Sequence, residues 1–157
     1  ADVRDIGADD RGAPILPSEL SGSIAHKDEV AVAYAEPRTR GGRVGVDVEH
    51  GRQLSEGVVR RVLCDDELTE LESRGAEARS RAALERFAAK EAIYKAIDPF
   101  LRRYVGFREV RLRDAEPGLW FAEGAAIDGL AVVARVERVS GPRGQGLVLA
   151  LAHARAR

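Results

Sequence analysis

An α+β fold is predicted by three observations: strand-like alternation fills the chain to about residue 49, helical spacing runs from Ser55 to about Ile97, and alternation returns after Pro99. At 157 residues the chain has the size of one domain, able to bury roughly 68–70% of the surface it would expose unfolded. Apolar residues make up 45% and charged ones 32%, and 25 basic against 26 acidic side chains leave a net charge of -1. Such a balance gives no field to attract nucleic acid, and none is expected as a partner. The single cysteine, Cys64, cannot form an intrachain disulfide, which fits a reducing, cytoplasmic setting. No stretch approaches the ~20 apolar residues of a membrane span, and Ala1 to Asp5 lacks a signal peptide's basic and apolar regions. The absence of Met, even at residue 1, leads us to expect a domain excised from a longer gene product.

The elements follow in order. Residues 1 to 20, with Gly12-Ala13-Pro14 and Pro17, read as loop. Ser21 to Ala35 reads as two extended segments, and Pro37 to Gly42 as a polar turn. Arg43-Val44-Gly45-Val46-Asp47-Val48-Glu49 alternates strictly, so the valines share one strand face and Gly45, Asp47 and Glu49 the other. From Ser55, Val58, Val59, Val62, Leu63, Leu68 and Leu71 recur at helical spacing, and Asp65-Asp66-Glu67 can cap a second short helix within that run. A longer helix is expected from about Ala78 to Ile97, ending before Pro99. Phe107 to Leu112, Gly118 to Ala122, Leu130 to Val139 and Gly146 to His153 then form an antiparallel meander, and Trp120 packs on the sheet.

Chemistry concentrates in Phe87-Ala88-Ala89-Lys90-Glu91-Ala92-Ile93-Tyr94-Lys95-Ala96, where Phe87, Glu91 and Lys95 stack along one helix ridge. Of 25 basic residues only Lys27, Lys90 and Lys95 are lysines, so two of the three compact ammoniums fall in this decade. Asp47, Glu49 and Glu91 supply three hard oxygen donors from a strand and a helix, a set suited to magnesium beside a phosphate. Lys95, one turn beyond Glu91, can hold a phosphate oxygen, with Lys90 steadying the same region. A solvated strand edge and a Glu91/Lys95 surface pair worth ~0.2–0.5 kcal/mol are the plain alternatives. His50 and His153 read as surface or satisfied histidines, and Cys64 as a small packed residue.

Val44-Gly45-Val46-Asp47-Val48-Glu49 followed by Phe87-Ala88-Ala89-Lys90-Glu91-Ala92-Ile93-Tyr94-Lys95 resembles the two-part signature of the 4′-phosphopantetheinyl transferases. Gly22-Ser23-Ile24-Ala25-His26 and Gly12-Ala13-Pro14 resemble two further elements of the Sfp-type branch, so the likeness spans about residues 11 to 97. It implies a single domain over 1–157 with two pseudo-symmetric α+β lobes around a cleft, residues 1–42 being a shortened first lobe and 43–157 the second. It also implies transfer of 4′-phosphopantetheine from coenzyme A to a carrier-protein serine, releasing 3′,5′-ADP. Asp47, Glu49 and Glu91 would hold magnesium, Lys95 would contact the pyrophosphate, and His26 the 3′-phosphate. Gly12 and Pro14 would lie at the adenine. Ala25 stands where the family has serine, and Lys27 would compensate. Glu67 resembles the glutamate that deprotonates the serine, with a helix cap as its alternative.

The run from Lys90 to Phe107 is similar to transferase domains fused to the C-terminus of enediyne-type iterative polyketide synthases. The chain is accordingly expected to be monomeric or part of a larger synthase. The trimeric holo-acyl-carrier-protein synthase branch fits less well, having shorter chains without the Gly12-Ala13-Pro14 and Ser23-to-His26 elements. An acidic carrier protein would dock on Val58, Val59, Arg60, Arg61 and Leu63, with the plain alternative of an amphipathic helix with a solvated basic face. Rival functions are a non-catalytic coenzyme A-binding or docking module of a synthase, and a metal phosphohydrolase.

Overall fold

The computed structural model describes residues 5–157, the side chain of Arg40 aside. Ala1 to Arg4, part of the opening loop and of the segment read as lacking a signal peptide, lie outside the described residues. Strands β1 (Leu20–Lys27) and β2 (Val30–Pro37) form an antiparallel hairpin. Asp28 turns it at φ +50°, a left-handed conformation that aspartate adopts more readily than most side chains. Strand β3 (Arg43–His50) follows, then helices α1 (Glu56–Val62), α2 (Asp65–Glu72) and α3 (Ala76–Leu101). Strands β4 (Arg111–Glu116), β5 (Leu119–Glu123), β6 (Leu130–Ser140) and β7 (Gly146–Ala156) complete a five-stranded antiparallel sheet in the order β3-β7-β6-β5-β4. The meander is therefore present, but its first strand starts later than the alternation predicts, because Phe107–Glu109 closes into a 3-10 turn.

Helix α3 also runs past its expected end, with Pro99 inside it. A proline in the last turn forfeits only its own bond to the preceding turn, and Arg102 still closes the helix by donating to the Asp98 carbonyl at 2.8 Å. Arg102 itself sits at φ +49° as a left-handed cap.

Two apolar layers sandwich the β3–β7 half of the sheet. On one face α3 presents Ala88, Ala89, Ala92, Ile93 and Ala96 to Ala150 and Ala152 of β7 and to Ala134 of β6, all almost fully buried. On the other face the hairpin lays Ala25, Val30, Val32 and Tyr34 over Val46, Val48 and Leu147. The alternation of β3 thus works in both directions: its valines face the hairpin while Gly45, Asp47 and Glu49 face α3 or its margin. The free edge of β3 meets β1 through side chains rather than a ladder. Val44 N–H donates to Ser21 Oγ and Val46 N–H to Ser23 Oγ, both at 3.0 Å.

A second cluster joins α1 and α2 to the start of α3, with Val59, Val62, Leu63 and Leu71 packed on Ala82 and Ala83. Val59 and Leu63 are 6% and 0% exposed, so these two cannot form part of the docking surface the sequence assigns them to. The helix is short and its apolar residues are needed to hold it down. Trp120 is buried on the sheet as expected, with its Nε1–H donating to Asp114. Among the described residues, no helix is long and apolar enough to cross a membrane.

Candidate active site

The site begins at Gly45. A Cβ added there would overlap the Ala92 carbonyl oxygen and lie 2.8 Å from Ala96 N, so β3 and α3 touch backbone to backbone only because position 45 has no side chain. Alanines at 92 and 96 keep the helix side equally slim. That seam sets the next inward residue of β3, Asp47, against the ridge of α3 that carries Glu91 and Lys95. Lys95 Nζ donates to Asp47 Oδ1 at 3.0 Å and to the Val46 carbonyl at 2.8 Å.

The carboxylates here are under electrostatic load. Burial pushes the Asp47 carboxyl above the usual range, and Lys95 only partly offsets this. Burial likewise raises Glu91, and the nearby charges of Asp47 and Glu49 raise it further. Asp47 is 7% exposed and its Oδ2 has no hydrogen-bond partner among the described residues. A buried carboxylate oxygen without a donor is costly, and a cation would relieve it. Three hard oxygen donors with one free buried oxygen suit a hard divalent ion such as magnesium. As they stand, however, no three His, Cys, Asp or Glu side chains among the described residues close into a set that could hold a metal. Asp47 and Glu49 act on the charge of Glu91, and two of the three acids are each engaged by an ammonium: Asp47 by Lys95 at 3.0 Å, and Glu49 by Lys27 at 2.7 Å.

Strand alternation explains the second ammonium. Ser21, Ser23, Ala25 and Lys27 share the β1 face turned to β3, whereas His26 points the opposite way and is exposed. Lys27 is therefore engaged with an acid of β3 rather than free beside His26 for a phosphate, as the sequence reading has it. The Gly12-Ala13-Pro14 turn, with Gly12 at φ +82°, lies at the other end of β1. Ala13 and Pro14 border a cavity of about 340 Å³ with Arg11, Arg38, Arg43 and Arg102. His26 does not line it. These four arginines come from four separate segments, so no spacing in the sequence could have joined them.

Arg11 also reaches α3, its Nε 2.7 Å from Asp98 Oδ2, and this pair borders a second cavity of about 270 Å³. Glu91, Tyr94, Tyr104 and Phe107 line it. Tyr94 packs edge-on to Phe107 with ring centroids 4.9 Å apart, yet its hydroxyl is buried without a partner among the described residues, and burial raises its pKa strongly. The sequence reading places Tyr94 in the core, which holds for the ring and misses the hydroxyl.

Glu67 and Lys90 lie away from the cleft. Both are fully buried and paired at 2.6 Å. Glu67 Oε2 also accepts from Cys64 N at 2.9 Å, as the third residue of an α2 capping box, and its Oε1 accepts from Leu112 N at 3.0 Å. Lys90 fills its remaining donors with the Val62 and Phe107 carbonyls, at 2.9 and 3.0 Å. Burial lowers the Lys90 ammonium pKa, against the pull of Glu67. A glutamate fully buried and held by three donors presents no oxygen to a substrate in the cleft, so the cap alternative describes Glu67 and the base assignment does not. Lys90, one residue before Glu91, points around the helix into the core and cannot steady a phosphate.

Residues 43–140, from the first residue of β3 onward, match the family model of the 4′-phosphopantetheinyl transferase superfamily. The chain is similar to the 4′-phosphopantetheinyl transferase Npt of Nocardia iowensis, at 36% identity over 107 residues, covering 68% of this chain and 47% of that protein. The chain thus spans about half the length of this curated relative. Among solved structures it resembles the ACPS–CoA complex of Chronobacterium ammoniagenes, with a TM-score of 0.56 and 22% identity over 74% of this chain and 98% of that one. The apo-ACPS structure from that organism gives a TM-score of 0.53 at 21% identity, over 73% and 97% of the two chains. At these identities the solved structures speak for the fold alone.

Proposed function

Because the chain belongs to the 4′-phosphopantetheinyl transferase superfamily, we propose that it transfers phosphopantetheine from coenzyme A to a serine of a carrier protein. In that reaction the serine oxygen bonds to the β-phosphorus, the bond from that phosphorus to the bridging oxygen breaks, 3′,5′-ADP departs carrying that oxygen on its α-phosphate, and the serine proton is released to water. The observation that carries this reading is the seam at Gly45, which packs β3 on α3 and sets Asp47 beside Lys95 and in the field of Glu91 and Glu49. Asp47, Glu49 and Glu91 are the residues that would hold magnesium, which when bound neutralises charge on the pyrophosphate. Lys95 would bind a phosphate oxygen as a point charge, and phosphoryl transfer draws most of its acceleration from such positioning and charge neutralisation. The arginine-lined cavity beside Pro14 suits the phosphorylated nucleotide end of coenzyme A.

Docking of an acidic carrier falls to the exposed part of α1, namely Val58, Arg60 and Arg61. The similarity of the Lys90-to-Phe107 run supports a place inside a polyketide synthase. The decisive experiment incubates an apo carrier protein with coenzyme A and magnesium and weighs the carrier. A gain of one phosphopantetheine, lost in Glu91→Ala and in chelator, is expected. Coenzyme A binding without any carrier modification would leave a docking module instead, and phosphate release without a carrier would leave a phosphohydrolase.

A further inference from the structure

Each of the three lysines in the chain ends on a carboxylate: Lys27 on Glu49 at 2.7 Å, Lys90 on Glu67 at 2.6 Å and Lys95 on Asp47 at 3.0 Å. The Lys90 pair is sealed in the core, whereas the other two stand in the acidic cleft. Lys27 is the looser partner, its side chain 42% exposed against 13% for Glu49, on a strand whose own backbone is paired along its whole length. Its ammonium can leave Glu49 without disturbing the hairpin. Glu91 feels the charges of Asp47, Lys95, Glu49 and Lys27, and Lys27 those of Glu49, Asp47 and Asp28.

We propose that Lys27 is a built-in counter-cation of the cleft, holding Glu49 until a divalent ion and a diphosphate arrive together, and then passing from the carboxylate to the phosphate. The charge balance argues for this. Asp28 also acts on Lys27 but is drawn to His50 outside the cleft; counted over the five cleft side chains, three carboxylates and two ammoniums carry one negative charge. A divalent ion arriving alone would turn that to one positive charge with two ammoniums repelling it, while an ion arriving with a doubly charged diphosphate leaves the net charge as it was. The two ligands are thereby made to favour each other. The buried Asp47 Oδ2, without a partner among the described residues, marks where the ion is needed, and the ammoniums of Lys27 on Glu49 and Lys95 on Asp47 are what it must displace. His26, on the opposite face of β1, has no part in this exchange.

This deepens the transferase reading and rests on it. It is tested by binding rather than turnover, with manganese as a spectroscopic probe of the metal alone and calorimetry of coenzyme A at saturating magnesium. Lys27→Met is expected to bind manganese alone more tightly and coenzyme A with magnesium more weakly, the coupling between the two falling by roughly 5–150-fold. Lys27→Arg, which keeps the charge, is expected to keep most of the coupling. Unchanged or weaker manganese binding in Lys27→Met, together with unchanged coenzyme A binding, would overturn the role of Lys27 while leaving the transferase standing. If the wild-type protein itself fails to bind coenzyme A with magnesium, both the exchange and the transferase reading fall. A melting curve for each variant confirms that the fold is intact.

Discussion

Glu91 and Asp47 are half-buried and buried acids facing each other's charge, and both are held above the ordinary carboxylate range, chiefly by burial. Their folded-state values exceed the unfolded ones, so folding favours the protonated form. The stability this carries is present below the unfolded value and is lost as pH rises through the folded value. Glu91→Gln should therefore raise the melting temperature of the metal-free protein at neutral pH by a few degrees, and the gain should shrink as pH falls toward the carboxylate range. Thermal melts in chelator across that range check it, and a neutral-pH variant no more stable than wild type would refute the electrostatic account. At this scale, Asp47, Glu49, Glu91 and Lys95 were legible in the sequence because strand and helix periods place them on definite faces. The same rule, applied to β1, puts Lys27 and not His26 toward β3. Glu67 was harder to read: of three consecutive acids, the one drawn inward is chosen by Lys90, a residue 23 positions away.

Between elements, the Glu67–Lys90 pair ties the corner of α1 and α2 to α3 and, through Leu112 N, to β4. Removing one partner strands a buried charge, at a cost of about 3–5 kcal/mol, whereas replacing both by apolar residues of similar volume is often close to neutral. Glu67→Ala should accordingly unfold at much lower denaturant concentration. The double variant Glu67→Leu with Lys90→Met removes the stranded charge but leaves the Cys64 and Leu112 amides and the Val62 and Phe107 carbonyls without their partners, so it should recover part of the stability and still modify carrier protein. A double variant that folds well yet is inactive would return Glu67 to the chemistry. The pattern of two short helices and one long one was visible from spacing. The backbone contact at Gly45 was not, since a glycine in an alternating strand reads equally well as a neutral filler until the helix that meets it is known.

For the molecule as a whole, a net charge of -1 provides no long-range attraction, so any acidic partner must be guided by a local patch. On α1 that patch is Arg60 and Arg61 with Val58 between them and the helix start. Arg60 shares an exposed pair with Glu56 at 3.2 Å, which binds it weakly. Reversing both charges should raise the carrier KM by about tenfold with coenzyme A affinity unchanged, and should invert the salt dependence of carrier modification, added salt now helping. Equal kinetics on the two proteins would move the docking site elsewhere. Antiparallel order and the meander could be read from alternation and turns, but the seat of the hairpin could not, because hydroxyl groups join β1 to β3 where a ladder would be looked for. Those hydroxyls have a further effect. With the outward amides of Val44 and Val46 already engaged by Ser21 and Ser23, a foreign strand approaching that margin finds two of its donors taken, which discourages self-association by sheet extension there, as Arg111 and Arg113 do at the opposite border on β4.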